Sequence, residues 1–187
     1  MNLLRRTVLA LPGALPAALP LMMLAASAAA QKRLEVPLTW YAVRIDEKAF
    51  TVEMPGVPDH RIVDDVSARG TPFQFHSYSL DTGGYSYVAQ TALYPADVDV
   101  AQPRLILQSA LDGRVQQLAG RKWTTVDWRV VAGASAVEST GALSGGNGLR
   151  QLVLLKEHRF MSLAFLGNAA GLAGAEARRF FTSLKLV

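Results

Sequence analysis

Residues 149–155, Leu-Arg-Gln-Leu-Val-Leu-Leu, and residues 160–166, Phe-Met-Ser-Leu-Ala-Phe-Leu, are two nearly continuous apolar runs separated by the polar turn Lys156-Glu157-His158-Arg159. A strand that alternates apolar and polar residues buries one face, whereas a run that is apolar at almost every position must be covered on both. A chain carrying this hairpin therefore needs a sheet with a packing layer on each side, and the rest of the sequence has to supply those layers.

It supplies them in alternation. Segments 40–44 and 50–54 read as short strands, followed by a strong break at Pro55-Gly56-Val57-Pro58. Segment 60–67 is a further strand candidate. Segments 73–80 and 85–94 read as a hairpin across Asp81-Thr82-Gly83-Gly84, with Phe73, Phe75, Tyr85, Tyr87 and Leu93 expected on one shared apolar face. After a polar stretch and Pro103, the residues Leu107, Leu111, Val115 and Leu118 recur at helical spacing, which predicts an amphipathic helix ending at Gly120. Segment 122–131 returns to period two, with Val126, Trp128 and Val130 on one side and Trp123 on the opposite face. Segment 136–143 is another strand, closed by the turn Ser144-Gly145-Gly146-Asn147-Gly148. From Gly171 the pattern is helical, with Ala173, Ala177, Phe180, Phe181 and Leu184 inward and Glu176, Arg178 and Arg179 outward. Strands in hairpin order, interrupted by one helix and closed by another, predict an α+β fold with a mostly antiparallel sheet.

None of this involves residues 1–30, which hold 21 hydrophobic residues, Arg5, Arg6 and no acid. A charged start, an apolar stretch from Thr7 to about Ala26 and the small-residue run Ala26-Ser27-Ala28-Ala29-Ala30 are the three parts of a cleavable signal peptide. Pro12, Pro16 and Pro20 obstruct the helix that a retained membrane anchor would need. Cleavage is expected after Ala30 or Ala28, the former leaving Gln31 to open a single mature domain, 31–187. The destination is then the periplasm or the exterior. Export by Sec is the expectation, although Arg5-Arg6-Thr7-Val8-Leu9 also resembles the twin-arginine signal, with Leu4 where Ser or Thr is usual.

Composition now excludes several classes of function. Without the leader, 17 basic residues face 15 acidic ones, so the formal charge of +4 falls to +2. That near-balance argues against a nucleic-acid partner. The chain has no Cys, which removes a disulfide scaffold, a thiol nucleophile and any cysteine-held metal cluster. Gly145-Gly146-Asn147-Gly148 lacks the spacing of a phosphate loop and reads as a hairpin turn. His60, His76 and His158 show no ligand spacing, so neither a metal nor another cofactor is expected. Gly133-Ala134-Ser135-Ala136-Val137 begins like a nucleophile elbow but ends in Val. Asp64-Asp65 and Asp97 with Asp99 read as solvated charges rather than catalytic carboxylates. What remains is a candidate ligand or partner surface: Trp123 beside Arg121 and Lys122, and His76 beside Tyr78. For Trp123 the competing reading is packing under a helix.

Phe50-Thr51-Val52-Glu53-Met54-Pro55-Gly56-Val57-Pro58, the aromatic hairpin, the central helix and the ending Ala177-Arg178-Arg179-Phe180-Phe181-Thr182-Ser183-Leu184-Lys185-Leu186 together resemble exported bacterial proteins of unassigned function similar in layout to the PsbP-like superfamily. The resemblance runs from about residue 40 to 187. It departs at Ala134-Ser135-Ala136-Val137-Glu138, where Glu138 alone matches the common Gly-x-Pro-Gly-x-Glu segment. It implies an α/β/α sandwich with a central, mostly antiparallel sheet of about six or more strands and two main helices. It also implies binding or assembly roles, toward an envelope protein or a small ligand, rather than catalysis. The runner-up is a small hydrolase whose Ser or carboxylate meets His76 or His158 only in the fold.

Overall fold

The computed structural model describes residues 39–46 and 49–187. The proposed leader and its cleavage positions Ala28, Ala30 and Gln31 lie outside the described residues. The strands are Tyr41–Ile45 (β1), Phe50–Met54 (β2), Asp59–Val66 (β3), Pro72–Asp81 (β4), Ser86–Leu93 (β5), Thr125–Val131 (β6), Ala134–Ala142 (β7), Asn147–Lys156 (β8), Arg159–Asn168 (β9) and Lys185–Leu186 (β10). The helices are Pro103–Val115 (α1), the single turn Ala169–Leu172 (α2) and Ala175–Thr182 (α3). An α+β fold with a mostly antiparallel central sheet is what the sequence predicts and what the chain forms.

That sheet has seven strands in the order β3-β4-β5-β9-β8-β7-β6, every pair antiparallel. It consists of two meanders, β3-β4-β5 and β6-β7-β8-β9, joined where β5 pairs with β9. Because β6 lies at the far edge from β3, the chain leaving β5 must cross the sheet, and α1 is that crossing. The all-apolar hairpin predicted to be covered on both sides forms β8 and β9, two of the three innermost strands.

One face of these strands presents Tyr87, Ala89, Ala136, Leu152, Leu154, Met161, Leu163 and Phe165 to β2, α3 and the turn after β1. The cover is more than a helix. β1, β2 and β10 form a separate three-stranded sheet, in which Leu186 pairs with Phe50, and Ile45, Phe50, Val52 and Met54 of this sheet are fully buried alongside Phe180 and Phe181 of α3. Ala173, expected inward, is exposed. The opposite face is covered by α1 through Ile106, Leu107 and Leu111.

Two facial assignments need correction. Phe73, Phe75, Tyr85, Tyr87 and Leu93 do not share a face: the β4–β5 register sets Phe75 opposite Ala92 and Leu80 opposite Tyr87. Phe75 therefore points to α1, while Tyr87 points to β2 and α3. Alternation is read within a strand, but the relative parity of two strands depends on their turn, which here leaves Thr82 bonded to Tyr85. Trp123 likewise lies on the same side as Trp128, both packing on the α1-side core. β6 begins only at Thr125, and Arg121 adopts a left-handed conformation with φ 48°, so period two does not extend back to Trp123.

Candidate functional site

β3, the edge strand of the sheet, is exposed along nearly its whole length, and Tyr78 and Leu80 of β4 pack on the covered core, so the β3–β4 end of this face is only partly covered. On it the ring of His60 stacks on Tyr78 at 4.2 Å between centroids and on His76 at 5.4 Å. The register explains the stack, since His60 lies directly opposite Tyr78 and His76 is two residues away on the same face of β4. The turn after β1 brings Asp46 to this platform. Its backbone N–H donates to the Tyr78 hydroxyl at 3.2 Å, and its φ of 45° is one that Asp tolerates better than most residues.

The Asp46 carboxylate accepts from Arg159 Nη1 at 2.8 Å, and its other oxygen lies 3.8 Å from His76 Nδ1. Asp46, His76 and Arg159 then line an open cleft of about 390 Å³, walled by Phe73, Gln74 and Tyr94. Burial, and secondarily the nearby Asp65, raises the Tyr94 phenol well above its ordinary value, so it stays a neutral wall. Chemically the cleft offers flat rings for stacking and a charge pair able to bind an anionic or cationic group at either end. Among the residues lining it, none carries a hydroxyl, thiol or amine nucleophile apart from the Tyr94 phenol. No group of three or more His, Asp or Glu among the described residues is placed to hold a metal ion.

Of the five residues nominated from sequence, the fold brings His76 and Tyr78 together. Arg121, Lys122 and Trp123 precede β6 at the opposite edge of the sheet, four strands beyond β5 in the sheet order. Arg121 and Lys122 are exposed, but Trp123 is half-buried, its Cε3 only 3.2 Å from where a Cβ on Gly141 would sit. The indole is thus packed inward. The other candidates are dispersed: Asp64 accepts from Gln74, Asp97 from the Ser67 hydroxyl, and Asp99 from the backbone of Ala101. Glu138 accepts from both Arg129 and Arg150 at 2.7 Å, which neutralises it.

A second polar group lies beneath α1, on the face away from the cleft. Ser77 opposes Gln90, Gln90 opposes Ser162, and Gln151 opposes Ser139. Ser162 and Gln151 are diagonal neighbours, because Gln151 opposes Ala164. The result is a polar diagonal across five strands that separates the apolar cluster around Leu107 and Leu111 from the one around Leu118 and Leu149. Arg114 descends from α1 at this gap. Its Nη2 donates to Gln90 Oε1 at 3.1 Å, Gln90 Nε2 donates to Ser77 at 3.2 Å, and burial pushes the guanidinium pKa below its ordinary value.

Sequence reasoning missed Asp46 and Arg159 because only the turn after β1 and the β5–β9 pairing bring them to the site, and it weighed His60 only as a metal ligand, its place beside Tyr78 being set by the β3–β4 register. Arg114 was more accessible to inference: it stands three residues after Leu111 and seven after Leu107, on the buried stripe itself. Gln151, beside Arg150, and Ser162 are the visible interruptions of the two apolar runs.

No family model matches the chain, and no curated protein matches it at a significant level. Among solved structures the chain is similar to that of PA94 from Pseudomonas aeruginosa, a protein of unknown function, at 18% identity over 74% of this chain and 90% of that one, with a TM-score of 0.39. A likeness of that degree carries no functional argument.

Proposed function

We propose that this chain is an exported, non-catalytic binding protein of the cell envelope, and that the Asp46–His76–Arg159 cleft with its His60–Tyr78 platform receives its ligand or partner. The observation that carries this reading is the ring stack and charge pair left partly exposed beside an otherwise two-sided sheet. Stackable rings with a paired Arg are recognition chemistry. In the same reading the fold is an α/β/α sandwich of the PsbP-like type, with α1 on one side and α3 on the other, and the leader takes it to the periplasm or the exterior. The described residues contain no helix long and apolar enough to cross a membrane.

The test is expression of the full chain in a bacterial host, followed by fractionation and crosslinking. A shortened, exported form should crosslink saturably to one envelope partner, and His60→Ala, which removes the exposed ring of the platform, should abolish the crosslink without lowering the melting temperature. Retention of the full-length chain in the cytoplasm overturns the reading. The alternative of a small hydrolase has the Asp46–His76 pair in its favour. It requires that pair to activate water, so ester hydrolysis lost on His76→Ala is the outcome that would replace binding with catalysis.

A further inference from the structure

Six buried side-chain polar atoms among the described residues lack a hydrogen-bond partner in the protein, and four of them belong to residues beneath α1 or beside it: Arg114 Nη1, Trp123 Nε1, Ser139 Oγ and Gln151 Nε2. Buried polar atoms are normally satisfied, so a concentration of orphans marks a place rather than a set of accidents. The four are neighbours by topology. Ser139 and Gln151 are directly opposed across β7 and β8 and are 0% and 1% exposed. Trp123 packs on Gly141, two residues along the same face from Ser139, and touches both apolar clusters, so it spans the gap between them. Arg114, in the last turn of α1, reaches the same gap from above, and Leu118, in the extended segment beyond the helix, packs on Gly141.

Their chemistry points one way. Arg Nη1, Trp Nε1 and Gln Nε2 can only donate, and Ser Oγ can donate. Gln90 Oε1, on the same polar diagonal, already accepts from Arg114 Nη2 and from Ser162 Oγ. None of the ion pairs among the described residues includes Arg114. Arg114 keeps partial exposure but its Nη1 is buried, and a cation with a buried face and no counter-charge is unfavourable, the more so when further donors surround that face. A water molecule there would accept hydrogen bonds but would bring two protons of its own into a group short of acceptors. An oxyanion brings acceptors alone and cancels the charge.

We propose that the α1 face of the sheet carries a buried oxyanion site in which Arg114, Gln151, Ser139 and Trp123 are the donors, taking a carboxylate or an inorganic oxyanion. This site is independent of the cleft, whose Asp46, His76 and Arg159 lie on the other face of the sheet, and either can fail without the other.

The test is thermal unfolding of the full chain in sodium phosphate, sodium acetate and sodium chloride at equal ionic strength, read together with tryptophan emission. Phosphate or acetate should raise the melting temperature with the logarithm of its concentration, by roughly 5–10 °C at a hundredfold excess over Kd. The more effective of the two identifies the class. Arg114→Gln should abolish the response. Ser139→Ala, a gentle change that keeps the fold if Arg114→Gln does not, should weaken the apparent affinity about tenfold. The accompanying change in emission should vanish in Trp123→Phe. Identical melting temperature and emission in all three salts would overturn the proposal, as would a response that survives unchanged in both Arg114→Gln and Ser139→Ala.

Discussion

Among the described residues, seventeen buried ones from Ile45 to Phe181 form one apolar cluster between the central sheet and its β2–α3 cover, whereas beneath α1 the buried apolar residues divide into a group of eleven and a group of four. The division follows the diagonal of Ser77, Gln90, Ser162, Gln151 and Ser139. The first face is held mainly by close-packed apolar burial, the Tyr87 hydroxyl reaching Glu176 at its rim. The second depends on directed bonds from Arg114 and Gln90, and directed bonds leave orphans when one partner is missing. A small fold can accept such a face only because the other is secure.

The comparison can be broken most severely on the apolar side. Phe180 is fully buried, its ring edge-on to Tyr87 at 5.4 Å and to Phe181 at 5.3 Å. Phe180→Ala should cost about 3–5 kcal/mol in urea unfolding and loosen the three-stranded sheet with α3. On the polar side, Gln90→Leu should cost about 2–3 kcal/mol, because it strips Arg114 Nη2 of its acceptor and Ser77 of its donor. Combining it with Arg114→Met should recover most of that loss, as a double-mutant cycle would reveal. An equal loss in the double mutant would mean that packing rather than the buried cation governs this face.

Gly141→Ala probes the join between the clusters. Its Cβ would meet Leu118 Cδ1 at 2.7 Å and Trp123 at 3.2 Å, so about 1–2 kcal/mol is expected, with faster amide exchange confined to the end of α1 and the turn after it. In the open cleft, Asp46→Asn should change stability by less than about 1 kcal/mol, since the Asp46 and Arg159 side chains are both partly exposed and screened.

The smallest effect is one of pH. The Ser67 hydroxyl, helped by Thr71 and Arg69, holds the Asp97 carboxyl below its ordinary 3.8. Its contribution is therefore full above that ordinary value and lost as pH falls through the depressed one. This bond ties the β3–β4 loop to the segment carrying Val98 of the α1-side cluster. Asp97→Asn should flatten the acid limb of the stability profile and leave neutral-pH binding untouched.

Much of the fold was legible in residue order. The aromatic hairpin, the Leu107–Leu111 stripe and the Phe180–Phe181 pair all occupy elements of the expected type, because period and turn chemistry are local properties. The failures share one cause. Tyr87 and Phe75 were placed on one face, and Trp123 on the wrong one, because parity between segments depends on register and on where a strand begins. The pairing of Leu186 with Phe50 and the approach of Asp46 to Arg159 link positions more than a hundred residues apart. No local pattern encodes such neighbours.

By itself, the sequence determined that residues 149–166 would form a hairpin covered on both sides, that the sheet would be largely antiparallel, and that no cysteine chemistry would operate. Each follows from the identity and spacing of residues along the chain. Only the tertiary structure decided what the covering layers are, which imidazole meets which carboxylate, and that Arg114 meets Gln90 beneath α1. Those outcomes depend on strand order, and strand order is settled by how distant segments fit together.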